Sequence, residues 1–263
     1  MDVIETIMFV AIGFGGAFIS GLLGFGGAIF MIPVLLYLPE LIIPGTSYGM
    51  KAVAGMTIVQ VFVASLSGFL RHRKNNYFDK NVVISIGSAV LIGSLAGGAV
   101  SKYLSNELLQ IVFAFVAVFS AALMFIPLKE PEQPQATVLN FNKLLAAGIG
   151  CVVGLLAGMI GAGGSFMLMP FMLYVLKIPI KIAVGSSLAI SFFAASGGAL
   201  GKILTSQVIW PPAIALVVGA LPGAQLGGIA CKSISPKVLK IVMAILMTIS
   251  AIKVSMDVMV NTI

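Results

Sequence analysis

Long apolar stretches dominate the chain, and short polar segments separate them. A helix that crosses a bilayer needs about 20 mostly apolar residues. Six stretches match that length: 52–70, 82–103, 107–127, 183–201, 211–231 and 238–256. Two more, 3–38 and 144–176, are too long for one crossing, and each contains a cluster of glycines near its middle. The pattern predicts an all-α integral membrane protein in which two long stretches are broken at glycines.

Composition supports a membrane location and excludes several classes of protein. Of the 263 residues, 60% are apolar and 9% are charged, whereas a soluble domain has about 25% charged residues. So few charges could not cover a surface in water, which excludes a soluble enzyme, a nucleic-acid-binding protein and a secreted disulfide-rich domain. No Lys or Arg precedes the first apolar stretch, so we expect a retained first span rather than a signal peptide.

The two halves of the chain are repeats of each other. Gly21, Gly24, Gly26, Gly27, Pro33 and Tyr37 recur 137 residues later as Gly158, Gly161, Gly163, Gly164, Pro170 and Tyr174. Beyond the next loop the offset becomes 130, and it relates Lys51, Gly55, Gly68, Gly93, Gly97 and Gly98 to Lys181, Gly185, Gly198, Gly223, Gly227 and Gly228. We predict a first transmembrane repeat at 1–127, a polar cytoplasmic linker at 128–143 and a second transmembrane repeat at 144–263. Internal duplication is a common architecture of transporters.

The distribution of Lys and Arg distinguishes parallel from inverted repeats. If each long stretch is one span, each half has four spans, and 8 of the 15 cations face the cytoplasm, which is no bias. If each long stretch folds back at its glycines, each half has five segments, the repeats are inverted, and 11 cations face the cytoplasm against 4 outside. Cytoplasmic segments of membrane proteins are enriched in Lys and Arg, so the count favours inverted repeats.

Each long stretch contains the same Gly-rich motif, GLLGFGGAIFMIP at 21–33 and GMIGAGGSFMLMP at 158–170. Glycine in a helix interior costs about 1 kcal/mol relative to Ala, so four glycines within seven residues favour a break in the helix. Broken backbone within a bilayer must face protein or a water-filled cavity, and the first N–H groups of the following helix favour an anion. Two such breaks, related by pseudo-symmetry, can form one binding site near the membrane midplane.

Close helix packing is the alternative interpretation, because small residues at i and i+3 or i+4 let two helices approach each other. We keep this alternative open for the motif glycines and prefer it for Gly93, Gly97, Gly98 and their repeat counterparts. A phosphate-binding loop is disfavoured, since the GxxGxGGS sequence of 158–165 lacks the GK[ST] ending.

No charged residue lies in the middle of a predicted span. We therefore expect no buried cation, and an anion would be held by backbone N–H groups and hydroxyls. Thr57 and Ser187 occupy one repeat position, Gln60 lies one turn after Thr57 on the same helix face, and Ser165 follows the second break. Further candidates are Ser186, Ser191 and Gln225. A hydrogen bond from each hydroxyl to its own helix backbone is the alternative.

The candidate substrate-binding residues are Gly24, Phe25, Gly26 and Gly27 of the first break, Gly161, Ala162, Gly163 and Gly164 of the second, and Thr57, Gln60, Ser165, Ser186 and Ser187. We expect no catalytic residue, no metal and no cofactor. The single histidine, His72, falls in the polar segment RHRKNN, and Cys151 and Cys231 have no CxxC partner.

The paired motifs GFGGAIFMIP and GAGGSFMLMP, the run VGSSLAISFFAASGG at 184–198 and the two-fold repeat resemble those of the TauE/SafE family. These are bacterial sulfite and sulfonate permeases, also called the toluene-sulfonate uptake permease family. The resemblance covers nearly the whole chain. It implies a multi-pass secondary transporter of the bacterial inner (plasma) membrane that moves sulfite, thiosulfate or an organosulfonate with the proton gradient. The implied partners are that anion and the lipid bilayer, with no nucleic acid, and a homo-oligomer stays an open alternative.

Other functions stay open at this point. The chain could transport or conduct another small anion or solute, it could be an intramembrane enzyme, or it could be an assembly factor. An intramembrane enzyme needs a buried Ser–His pair, an Asp pair or a metal cluster, and the residue pattern argues against all three. Proton coupling would need either a residue at a segment end or a proton carried by the substrate, and transport without proton coupling is the third alternative.

Overall fold

The computed structural model describes residues 2–24, 27–73, 80–124, 143–175, 178 and 180–262. The α-helices within them are α1 (Val3–Leu23), α2 (Ala28–Ile42), α3 (Met50–Arg73), α4 (Lys80–Val100), α5 (Asn106–Met124), α6 (Lys143–Ile160), α7 (Ser165–Pro170), α8 (Ile180–Leu204), α9 (Trp210–Ala230) and α10 (Pro236–Thr262). The described part of the chain is all-α, as the apolar pattern predicts. Except for Lys143, the predicted linker 128–143 lies outside the described residues.

Both long apolar stretches are broken at the predicted glycines. α1 ends at Gly24 and α2 begins after Gly27, with φ angles of 79° and 78°. In the second half, α6 ends before Gly161 and α7 begins after Gly164, with φ angles of 74° and 73°. Residues with a Cβ rarely adopt this left-handed conformation, so glycine lets the chain leave the helix and re-enter it. Within the described residues, each half therefore has five α-helices, which is consistent with inverted repeats.

Prolines shape the helices that begin after the breaks. Pro33 lies within α2, and its repeat counterpart Pro170 is the last residue of α7. Beyond Pro170 the helix continues as a π-helix over Phe171–Val175. Proline lacks an N–H and its ring clashes with the preceding turn, which accounts for the irregular geometry here. Together, α7 and the π-helix form one helical segment.

The helices pack in pairs that the internal repeat relates. α1 packs along α9, and the counterpart pair α6 and α4 packs in the same way. α3 also packs on α9, as its counterpart α8 packs on α4, and α3 and α8 pack on each other. An added Cβ at Gly93 or Gly97 would collide with the α6 backbone, which confirms the packing interpretation for these two glycines.

Seven helices in the described residues are long and apolar enough to cross a membrane, over Val3–Leu23, Met50–Arg71, Val82–Tyr103, Asn106–Leu123, Ile182–Leu204, Trp210–Ser233 and Lys237–Asp257. The shorter apolar helices Ala28–Ile42, Leu144–Ile160 and Ser165–Val175 are the remaining parts of the two broken stretches. Large apolar side chains such as Ile84, Phe115 and Ile249 are exposed, as contact with lipid tails requires. The protein is a multi-pass membrane protein.

A hydrogen bond joins the first turn of α1 to the loop that leads into α3. The Tyr48 hydroxyl in that loop donates to Glu5 Oε1 at 3.1 Å. Burial, with the Glu5 carboxylate as a further cause, raises the pKa of Tyr48 to about 12. The hydroxyl therefore keeps its proton at physiological pH, and α1 and α3 begin at the same end of the molecule.

Candidate functional site

The second break lies against helices of both halves. Gly161 contacts α3 at Ala54, where an added Cβ would collide with the backbone. Gly163 lies beside the Val61 side chain of α3, and the Ser191 hydroxyl of α8 donates to the Gly163 carbonyl at 2.9 Å. The break therefore follows α3 from Ala54 towards Val61 and is held between α3 and α8.

The first break makes the repeat-related contact with α8. An added Cβ on Gly24 would lie 2.7 Å from the Val184 carbonyl oxygen and 2.8 Å from the Ser187 hydroxyl. That hydroxyl shares its single proton between the Gly24 carbonyl at 2.8 Å and the Val184 carbonyl at 2.9 Å. Each break thus contacts a helix from the other half of the chain. The first break contacts α8, and the second break contacts α3.

Three polar side chains near the second break are fully buried and have no hydrogen-bond partner in the described structure. They are Thr57 and Ser165, through their hydroxyls, and Gln60, through both amide atoms. Thr57 follows Ala54 by three residues and precedes Val61 by four, so it shares the helix face that contacts the break. Ser165 is the first residue of α7. Buried polar groups are nearly always paired. A ligand bound here can therefore form the hydrogen bonds that these three side chains lack.

The helices that follow the breaks both begin without a side-chain cap. Their N-cap residues are Gly27 and Gly164, and neither offers a side-chain acceptor. The Phe30 N–H of α2 donates to the Gly27 carbonyl, and the Met167 N–H of α7 donates to the Gly164 carbonyl. The N–H groups that precede these two have no acceptor within their own helix. A helix start carries roughly half a positive charge, so both breaks suit a negatively charged ligand.

The structure brings together only part of the predicted set of residues. Thr57 and Gln60 lie on α3 between Ala54 and Val61, which contact the second break. Ser165 directly follows that break, and the Ser191 hydroxyl bonds to it. Ser187 lies at the first break with its hydroxyl bonded to two carbonyls, one of them from its own helix, as the alternative interpretation expects.

The remaining predicted residues differ in their surroundings. The Ala162 N–H donates to the Ala157 carbonyl at 2.9 Å, which closes the end of α6. Ser186 is buried and has an interaction partner of its own, and Gln225 is exposed. Phe25 and Gly26 lie outside the described residues. Sequence reasoning missed Ser20, in the last turn of α1, whose hydroxyl is also buried without a partner in the described structure.

The expectation of no buried cation is wrong for Lys202, which lies in the last turn of α8 and is 0% exposed. Its Nζ donates to Ser101 Oγ at 2.8 Å, to the Met159 carbonyl at 3.1 Å and to Gln207 Oε1 at 3.5 Å. By sequence, Lys202 resembles a flanking lysine that reaches the membrane surface. Its repeat counterpart, 130 residues earlier, is His72, and this pairing does not distinguish a buried lysine from an exposed one.

The candidate site is closed to solvent in this conformation. The polar side chains near the two breaks are 0% exposed, namely Ser20, Thr57, Gln60, Ser165, Ser187 and Ser191. A groove of about 630 Å³ lies between α3, α8 and α9, but apolar side chains such as Phe62, Phe192 and Ile214 line it, and the unpartnered side chains do not. The polar side chains of the candidate site are therefore buried and do not face this groove.

Comparison with known proteins shows related chains of similar length. The chain is 25% identical over 258 residues to YunE of Bacillus subtilis, which covers 92% of this chain and 94% of that protein. It is 28% identical over 213 residues to YdhB of the same organism, which covers 80% and 83% of the two chains. It is 23% identical over 247 residues to MJ0441 of Methanocaldococcus jannaschii, which covers 90% of both. Each of the three is named a probable membrane transporter protein.

A family model identifies the same class of protein. The model described as sulfite exporter TauE/SafE matches residues 9–254, which is most of the chain. No solved structure matches the chain. The family and the relatives are membrane transporters rather than enzymes, and the membrane-spanning helices agree with that function. The chain therefore belongs to the TauE/SafE family of membrane transporters.

Proposed function

We propose that this transporter moves a small sulfur-containing anion, such as sulfite, thiosulfate or an organosulfonate, and binds it between the two Gly-rich breaks. The main support is that Thr57, Gln60 and Ser165 are fully buried near the second break without a partner in the described structure. An anion can accept hydrogen bonds from these side chains and from the uncapped N–H groups of α7 together.

The unpaired groups favour a ligand over simple helix packing. A buried polar group without a partner costs about 1–3 kcal/mol, and hydrogen bonds to a ligand would offset this cost at all three side chains. If this position served only helix packing, an apolar residue would suit it better than glutamine. Ile190, the repeat counterpart of Gln60 130 residues later, is such a residue and is also fully buried.

The chemistry of the site suits an oxyanion more than a halide. Sulfite, thiosulfate and sulfonates have several oxygens around sulfur, so they accept hydrogen bonds from several directions. The donors here come from side chains of α3 and from the start of α7, so they approach from different helices. The description of the matching family as a sulfite exporter favours a sulfur oxyanion over other small anions.

We propose that anion transport is coupled to the proton gradient through a proton that the substrate itself carries. Among the described residues, the carboxylates lie near helix ends rather than in mid-span, namely Asp2, Glu5, Glu40, Glu107 and Asp257. A proton-coupled carrier usually has an ionisable group within the membrane, and the buried Lys202 lies in the last turn of α8 rather than in mid-span. Bisulfite is a weak acid and can take its own proton across. In this proposal the protein resides in the bacterial inner (plasma) membrane, which maintains a proton gradient.

Flux measurements in proteoliposomes test the proposal. Uptake of sulfite, thiosulfate, methanesulfonate, sulfate and chloride is compared with and without a pH gradient, and protein-free liposomes are the control. We expect at least one sulfur oxyanion or sulfonate to move faster than chloride. Sulfite flux should respond to the pH gradient more than thiosulfate flux does. Transport of chloride, a neutral solute or a metal ion alone would contradict the proposal.

A further inference from the structure

Lys202 is a buried ammonium that the binding site described above does not use. Its acceptors are the Ser101 hydroxyl, the Met159 carbonyl and the Gln207 amide oxygen. All three are uncharged, and no carboxylate bonds to Lys202 within the described residues. Lysine is almost never fully buried without an opposite charge, because the loss of hydration is otherwise uncompensated.

This ammonium lies next to the second break. The Met159 carbonyl that accepts from Lys202 precedes the first glycine of the break by two residues. Gly55 of α3 abuts the Gln207 backbone, and the neighbouring Ala54 abuts the break itself. Two separate sets of contacts therefore connect the ammonium to the place where α6 ends.

The hydrogen bonds fix the position of the charge. The three N–H bonds of the ammonium match its three acceptors. The Gln207 amide is held in turn, because its Nε2 donates to the Gly98 carbonyl at 3.0 Å. The ammonium is therefore held in place, and its effect on a ligand is electrostatic rather than through direct contact. In a medium of low dielectric constant that effect extends over several ångströms and is proportional to the charge of the ligand.

We infer that Lys202 is a positioning charge that strengthens the binding of anions at the second break in proportion to their negative charge. The inference rests on the proposed function, because it requires an anion at that break. Lys51 lies in the first turn of α3, at the same end of the molecule, and its Nζ donates to the Lys102 carbonyl at 3.0 Å. The end of the molecule where α3 begins and α8 ends is thus positive beside the break.

Two anions of different charge test the inference. Thiosulfate has two negative charges and methanesulfonate has one, and binding of each to the purified protein gives a ratio of dissociation constants. Lys202→Gln removes the charge and keeps a hydrogen-bond donor. We expect this variant to weaken thiosulfate binding about tenfold more than methanesulfonate binding.

Two variants serve as matched controls. Lys202→Arg keeps the positive charge and should keep the ratio of the unaltered protein. Lys102→Gln removes an exposed cation from the same end of the molecule, and it should not change the ratio because water screens that charge. Thermal unfolding of every variant is measured beside binding.

If Lys202→Gln does not fold, Lys202→Met is the second neutral variant. It removes the ammonium and keeps the hydrogen bonds that the Ser101 hydroxyl donates to the Gly98 carbonyl and to Gln207 Oε1. Equal weakening for the two anions, or failure of both neutral variants to fold, would show a structural role and overturn the inference. If the unaltered protein binds neither anion, the proposed function fails as well.

Discussion

The Ser187 hydroxyl of α8 donates a hydrogen bond to the carbonyl of Gly24, 2.8 Å away, at the residue where α1 ends. Its repeat counterpart Thr57 lies on the α3 face that contacts the second break, yet the Thr57 hydroxyl has no partner in the described structure. One copy of this repeat position therefore stabilises a break, and the other leaves a buried donor unused. The difference favours the second break as the centre of ligand binding.

The two hydroxyls should respond differently to removal. Ser187→Ala leaves the buried Gly24 carbonyl short of a partner, so it should lower the free energy of unfolding by about 1–3 kcal/mol. Thr57→Val removes no hydrogen bond seen in the structure, so its unfolding temperature should stay close to that of the unaltered protein. If the Thr57 hydroxyl contacts the anion, binding should weaken by about 1 kcal/mol. Thermal unfolding and anion titration of both variants check this, and equal loss of stability in the two would contradict it.

Gln60 offers a sharper separation of stability from function. Gln60→Met keeps the length of the side chain and removes two buried polar atoms that are unpaired. The variant should unfold at the same or a higher temperature, because a buried unpaired group costs about 1–3 kcal/mol. Anion binding should weaken. Ile190→Leu, at the repeat counterpart of Gln60, is the matched control and should leave binding unchanged. Full anion affinity in Gln60→Met would exclude Gln60 from the site.

Ser165 provides the corresponding test at the start of α7. Its hydroxyl is buried without a partner in the described structure, so Ser165→Ala should change stability little. Binding should weaken by about 1 kcal/mol, the typical contribution of one hydrogen bond. A variant that loses stability and keeps its affinity would indicate that the hydroxyl has a packing role alone.

The apolar pattern and the glycines predicted most of the fold. Apolar length alone located the helices, because a bilayer of fixed thickness requires spans of similar length. The breaks at Gly24 and Gly161 followed from the cost of glycine within a helix and from its recurrence at a constant offset. Both signals are local in the sequence, so neither depends on knowing which helices touch.

The polar interior could not be predicted in the same way. Lys202 follows an apolar run, as do many lysines at membrane surfaces, and its acceptors Ser101 and Met159 are 101 and 43 residues away in the chain. Only the packing of α4, α6 and α8 brings them together. Whether Thr57 or Ser187 has a partner likewise depends on which break it contacts.

The inverted arrangement is tested by the orientation of two loops. We predict that Asn75, outside the described residues, and the exposed Ser233 both face the cytoplasm, because 11 of the 15 cations then lie inside. Single cysteines at these sites, in a background without Cys151 and Cys231, are labelled with an impermeant thiol reagent in intact and opened cells. Both should react only after opening. Accessibility of one site and protection of the other would contradict inverted repeats.

The glycines at the start of α2 and α7 give the last test. From the sequence alone, Gly27→Leu and Gly164→Leu are equivalent changes that should block transport in a folded protein. The structure distinguishes them. An added Cβ at Gly27 would lie 2.6 Å from the Gly16 carbonyl oxygen, which is backbone, whereas at Gly164 the nearest atom is the Ala157 Cβ at 3.1 Å. Gly27→Leu should therefore lose its fold, and alanine is the informative substitution.

Gly164→Ala should fold and lose transport. The left-handed φ of 73° costs an alanine roughly 1–2 kcal/mol, which a folded protein can tolerate. Relief of that strain would turn the first N–H groups of α7 away from the anion, so flux should fall more than stability does. Gly15→Ala is the matched control: its added Cβ meets nothing within 4 Å, and it should be stabilised by up to about 1 kcal/mol with flux unchanged. Flux and unfolding temperature are measured for both variants. Full flux in Gly164→Ala would contradict a role for the second break in transport, because the N–H groups of α7 could not then be essential to anion binding.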